Sequence, residues 1–186
     1  MPSVCRELRR LSPLISIICG LALILAAWLV PVGRSHSEGL LPHVQFPTEG
    51  RATDCGAVAL FFIAKLQGRD CKLAELQTLV KTSVIGTDML SLRDGARTLN
   101  FKVDGVRLSF DQMREYVSKP GHYAILHSPV HSHFLAVVGR SEPNAVQVAD
   151  TVLGAAALNE TDLDRTFGWD GAALLLSSEE SGPGAP

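Results

Sequence analysis

The spacing of apolar and polar positions changes character three times along this chain. Leu11–Gly33 carries no charged residue and is bounded by Arg10 and Arg34. A helix of that length spans about 35 Å, enough for a hydrocarbon core of about 30 Å. Ser35–Arg51 is polar, contains Gly and Pro and has no period, which predicts a linker. From Thr53 to Asn100 the period is helical. Cys55–Gln67 is apolar on most sides and predicts a central, buried helix, with Thr53 or Asp54 as its cap and Gly68 as its stop. Leu73, Leu76, Leu79 and Val80 mark one face of a second helix. Met89, Leu92, Ala96 and Leu99 mark a third, opening at Thr87 or Asp88. Ser109 and Gln112 have capping-box spacing ahead of a short helix over Phe110–Val117.

Beyond that helix the period shortens to two. Strands are expected at His122–Ser128, His133–Arg140, Ala145–Thr151 and Ala172–Ser177, with Lys102–Leu108 as a further one. Pro120-Gly121, Pro129 and Glu142-Pro143-Asn144 punctuate them. Helices followed by strands with short connections predict an α+β fold, a helical first half packed on a mostly antiparallel sheet. The expected division is a short tip and a transmembrane helix over residues 1–33, a linker over 34–51, one globular domain over 52–178 and a loose tail over 179–186.

Charge adds a direction. Arg6, Arg9 and Arg10 precede the apolar run, with only Glu7 against them. The positive-inside tendency then keeps the N-terminus in the cytoplasm and places the domain outside it, as a single-pass membrane protein. A cleaved signal peptide is the competing reading. The chain holds 17 Lys+Arg against 19 Asp+Glu; three of the arginines and one of the acids precede the apolar run, which leaves 14 against 18 from Arg34 on. There is no basic stripe and no block of like charge, so nucleic acid is not an expected partner.

Only Cys55 and Cys71 fall within the domain, too few for a disulfide framework. They lie at opposite ends of one predicted helical segment that rises about 18 Å, whereas a disulfide needs Cα atoms within about 7 Å. Both are therefore expected as free thiols. Cys55 admits two readings. It is a small core hydrophobe, as free cysteines commonly are. Or it opens a buried helix so that the unpaired N–H groups and the positive dipole end stabilise a thiolate. Gly56 beside it leaves room for a close approach, by a substrate backbone on the functional reading.

Four of the six histidines fall between His122 and His133. A zinc site from His127, His131 and His133 lacks a completing carboxylate spacing and is interrupted by Pro129. Solvated or satisfied histidines are the plain alternative. The remaining reading makes one of them the base for Cys55. His133 is preferred because it leads directly into the core strand "FLAVV", whereas His131 sits in the turn after Pro129. Asp150 closes "VQVAD", the next predicted strand, and an antiparallel neighbour could bring it beside His133. A cysteine, a histidine and an acid in these places follow the nucleophile–base–orienter logic of a cysteine hydrolase.

These residues resemble the papain-like cysteine peptidase domain at the front of bacteriocin-processing ABC transporters, which cleaves double-glycine leader peptides. The resemblance runs from Thr53 to Leu176. It is carried by "DCGAVAL" around Cys55, "IGTDMLSLRDGARTLNF" over Ile85–Phe101, "HFLAVV" with His133, "VAD" ending at Asp150 and "FGWDGAALLL" over Phe167–Leu176. It implies a papain-like fold, Cys55 as nucleophile, His133 as its partner, Asp150 as orienter, a peptide or protein substrate, an export transporter as a further partner and no metal or organic cofactor. It also implies a glutamine six residues before the cysteine as oxyanion donor. That position is Glu49 here, and Gln45, ten residues before, is the expected donor. Thr151 follows Asp150 where the family usually has proline. Two alternatives stay open: a catalytically impaired relative that binds peptides, which Glu49 favours, and acyl or amide transfer by the same thiol.

Overall fold

The computed structural model describes residues 52–141 and 143–178. The uncharged run expected to cross a membrane, the expected linker with Gln45 and Glu49, and the tail lie outside the described residues. Among those residues no helix is long and apolar enough to cross a membrane.

A 3₁₀ turn, Ala52–Asp54, leads into α1, Cys55–Leu66. Then come α2 (Leu73–Leu79), α3 (Met89–Thr98), β1 (Phe101–Arg107), α4 (Phe110–Val117), β2 (His122–Ser128), β3 (His133–Arg140), β4 (Ala145–Asp150), β5 (Gly154–Asn159), α5 (Glu160–Phe167) and β6 (Ala172–Ser178). The strands form one six-stranded sheet in the order β1-β6-β2-β3-β4-β5. Every neighbouring pair is antiparallel.

The alternation of side chains along β2 and β3 divides the core in two. Ile125, Phe134, Ala136 and Val138 face one cluster, which holds Val58, Leu60, Phe62 and Ile63 of α1. Ala124, Leu126, Leu135 and Val137 face the other, with Phe110 and Met113 of α4 and Leu163 and Phe167 of α5. α1 is apolar on nearly every side because it lies between layers, with β3 and β4 on one flank and α2 and α3 on the other. Leu60, Phe62 and Ile63 are fully excluded from solvent. Burial of a side chain of this kind contributes about 1.5–3 kcal/mol, and α1 is thereby fixed rigidly on the sheet.

The caps follow the sequence closely at two helices. Asp88 accepts from the Ser91 amide at 2.8 Å, and Ser109 and Gln112 form the reciprocal box at α4. α1 differs. Asp54 occupies its N-cap position, but with φ −90° and ψ 0° its side chain makes no capping hydrogen bond. The 3₁₀ turn ahead of α1 replaces the extended entry that a capping side chain needs. Gly68, at φ 68°, ends the segment as expected.

Two elements were absent from the sequence reading. β5 is an alanine-rich edge strand whose burial alternates only weakly. α5 has an Asn159–Asp162 capping box and a Leu163/Phe167 pair one turn apart, both buried. Those were the available signals. The predicted strand at Ala145–Thr151 stops at Asp150, because Asp150 turns the chain there: its Oδ1 accepts from the amides of Val152 and Leu153 at 2.9 and 2.8 Å.

Candidate active site

His133 is the first residue of β3 and Asp150 the last of β4. The two strands run antiparallel, so both residues stand at the same end of the sheet. Ala136 pairs with Ala149, and counting back along each strand puts His133 and Asp150 on the same face. His133 Nε2 donates a short hydrogen bond to Asp150 Oδ2. Asp150 is buried, and its second oxygen is taken by the two turn amides. The carboxylate is thus saturated with donors and cannot rotate away from the ring.

The start of α1 reaches the same rim. Gly56 is buried, and a Cβ there would stand 3.1 Å from Thr87 Cβ and 3.3 Å from Phe134 Cδ2. This corrects the sequence reading of Gly56: the missing side chain makes room for the protein's own Thr87 and Phe134, not for a substrate. Phe134 is the residue after His133, so this close approach seats the first turn of α1 against β3. Cys55 is buried, a free thiol, and close enough to the His133 ring to act on its protonation. With Nε2 held by Asp150, Nδ1 is the ring atom left for the sulfur.

Burial of His133 disfavours its charged form. The hydrogen bond to Asp150, the contact with Cys55 and the charge of the Asp150 carboxylate outweigh that and push the imidazole up to about 9. Burial likewise acts to raise Asp150, but the His133 bond and the Leu153 and Val152 amides hold the carboxyl below its usual range. The resting site at neutral pH therefore carries an imidazolium between a carboxylate and a sulfur.

Among the described residues, the other two candidate histidines have partners of their own. The His131 Nε2 atom lies 3.0 Å from the Thr166 carbonyl, in the turn between β2 and β3. His127 packs on the Phe134 ring at 5.0 Å between centroids. Among the described residues no group of His, Cys, Asp and Glu could hold a metal ion. Three features of the rim had no counterpart in the sequence reading. Phe167 stacks along His133 with 16° between the rings, the Val152 and Leu153 amides saturate Asp150, and Thr87 packs against Gly56.

The fold is that of papain-like cysteine peptidases. The profile of the peptidase C39 family matches residues 43–181, and the chain belongs to that family. Its members are cysteine peptidases, and its structural neighbours are double-glycine leader peptidase domains of bacteriocin-processing ABC transporters. The chain is 37% identical over 71 residues to the pediocin PA-1 transport/processing ATP-binding protein PedD of Pediococcus acidilactici, covering 38% of this chain and 10% of that protein. It is 29% identical over 133 residues to the lactococcin-A transport/processing ATP-binding protein LcnC of Lactococcus lactis subsp. lactis, covering 69% and 18%. The chain thus spans less than a fifth of these relatives' own length. Among solved structures, the peptidase domain of Streptococcus ComA, a bi-functional ABC transporter of a quorum-sensing pathway, superposes with a TM-score of 0.60 at 22% identity, over 74% of this chain and all of that one. A double glycine motif protease from an AMS/PCAT transporter, solved with its leader peptide, gives 0.61 at 18% identity, over 74% and 93%. At these identities the superpositions establish the fold.

Proposed function

We propose that this protein is a membrane-anchored cysteine peptidase that cleaves a peptide substrate through Cys55, His133 and Asp150, with Gln45 as oxyanion donor. The observation that carries this reading is the His133–Asp150 hydrogen bond, with the Cys55 thiol beside the ring at the start of a rigid helix. Cys55 Sγ attacks the scissile carbonyl, forming a C–S bond. His133 gives its Nδ1 proton to the leaving amine as the C–N bond breaks. The neutral ring then takes a proton from water, whose oxygen displaces the sulfur from the thioester. Asp150 keeps Nε2 bonded throughout, so the ring neither flips nor drifts.

Six large aliphatic side chains are exposed among the described residues, Val84, Ile85, Leu90, Val130, Val152 and Leu153, each within three positions along the chain of Thr87, His133 or Asp150. They suit a peptide that presents aliphatic side chains of its own, and a leader peptide like those processed by the relatives fits that description. The uncharged run Leu11–Gly33 and the arginines before it support an anchor that holds the domain outside the cytoplasm, beside an export transporter.

Cleavage of a double-glycine leader peptide by the full chain in membranes tests the reading. Loss of cleavage in Cys55→Ala is expected, and unchanged cleavage would overturn it. External protease on intact cells should digest the domain; a protected domain would reverse the topology. Glu49 favours a second reading, an impaired relative that binds peptides without turnover. Gln45→Ala should lower kcat about 100-fold with little change in KM. A silent Gln45→Ala together with a gain in Glu49→Gln would favour the impaired relative.

A further inference from the structure

His133 follows a four-residue turn, and that turn is fastened to the C-terminal end of α5 by a set of contacts that the chemistry above does not use. Ser128, which pairs with His133 across β2 and β3, is completely buried. Its hydroxyl donates to the Phe167 carbonyl and accepts from the His131 amide at 3.3 Å. The His131 ring reaches the Thr166 carbonyl. Gly168, at φ 56°, packs so tightly on the turn that a Cβ there would lie 2.5 Å from Val130 Cγ2. Three successive residues at the end of α5 therefore each meet the turn. Helix C-termini leave carbonyls without intrahelical partners, and here two acceptors in the last turn of α5 bond to the hairpin. Ser132, immediately before His133, has φ 47°. A non-glycine residue in that region persists where its surroundings over-determine it. The Phe167 ring also lies parallel to the imidazole.

We propose that the end of α5, latched through Ser128, is a positioning element for His133 that holds its ring between Cys55 and Asp150. The proposal rests on the reading of His133 as the base. Ser128 touches neither sulfur nor substrate; it acts through the turn. A loosened turn lets the ring leave the line between its two partners, and misplacement of about 1 Å can cost about 100-fold in rate.

The test uses the full chain with Ser128→Ala and His131→Ala, and its first readout needs no substrate. Proton NMR follows the titration of the His133 ring in the folded protein, whose groups in contact with the ring are Asp150 and Cys55. Ser128→Ala should move the midpoint down by about one pH unit as those contacts weaken, and His131→Ala should move it the same way by less. For cleavage, Ser128→Ala should lower kcat about tenfold to a hundredfold with KM within about twofold. A purely structural role would lower thermal stability while leaving the His133 titration of the folded protein in place. A folded Ser128→Ala protein with unmoved titration and kcat overturns the proposal. If Ser128→Ala does not fold, the surface variant His131→Ala decides alone, and an unmoved titration there overturns it. If wild-type protein cleaves nothing, the peptidase reading fails while the titration still decides the latch.

Discussion

Helix α1 has a buried cysteine at its start and another just past its end. Cys55 is 4% exposed and Cys71 is 9% exposed, so burial alone does not separate them. Their neighbours do. Cys71 sits against Ala64 and Leu76 in a small apolar cluster. Burial pushes its thiol up, and Lys65, the leading opposing influence, does not offset that. Cys55 meets the His133 ring, itself fastened to Asp150. The same residue type, equally hidden, lies among apolar side chains at one end and beside the His133–Asp150 pair at the other. Desolvation penalises any isolated charge; beside Cys55 the imidazole is held by a carboxylate, whereas Cys71 has apolar side chains packed on it.

The sharpest way to break this contrast is to remove the ring. In wild-type protein iodoacetamide at pH 7 should modify Cys55 at least about tenfold faster than Cys71, read by mass spectrometry of the two peptides. His133→Ala should erase that difference and lower cleavage about 1,000-fold or more. Equal rates for the two thiols in the wild type would remove the basis of the comparison.

Asp150→Asn keeps the ring and weakens its support. Cleavage should fall about tenfold to a hundredfold. The wild-type alkaline limb should lie near 9, where His133 loses its proton, and the variant's limb should lie lower, because a group that raises the imidazole has lost its charge. Stability follows the same signs. The folded imidazole sits above its ordinary 6.5, so its contribution is complete below 6.5 and is lost as pH rises through about 9. Asp150 is depressed from 3.8, so its contribution is complete above 3.8 and is lost as pH falls through its lower folded value. Thermal melts should show a plateau between those limits and an alkaline decline that His133→Ala flattens. An alkaline limb that stays in place in Asp150→Asn would show that the carboxylate does not hold the proton.

Gly56→Ala tests the seat of the helix. The added methyl meets Thr87 and Phe134 at 3.1 and 3.3 Å, so the start of α1 must shift by a few tenths of an ångström. Cleavage should drop several-fold, about tenfold at most. An unchanged rate would mean that the Cys55–His133 approach tolerates that shift. The smallest effect is expected at the other end of α1. Cys71→Ala should leave cleavage unchanged and cost about 1 kcal/mol in a denaturant melt.

Much of this was legible in the residues. The helical period of Cys55–Gln67, the Ser109/Gln112 box and the alternation in "HFLAVVGR" all act over a few neighbours, and each element formed where its local pattern called for it. The order Cys55, His133, Asp150 was readable for the same reason, since each residue ends or begins a well-marked element. α5 was missed although Asn159 and Asp162 cap it, because its short amphipathic run follows a weakly patterned alanine strand with no loop between them.

By itself the sequence determined the helices and strands other than β5 and α5, and which thiol and imidazole stand at element ends. Those are consequences of side-chain periodicity and capping, which are local. Only the tertiary structure decided that Gly56 is small for the sake of Thr87 and Phe134, that the Asp150 carboxylate meets the His133 ring, and that Ser128 ties the His133 turn to the end of α5. Each of these joins residues far apart in the chain or depends on strand register and close packing. Such contacts come into being only when the sheet closes and its two layers settle on it, so no window of neighbouring residues contains them.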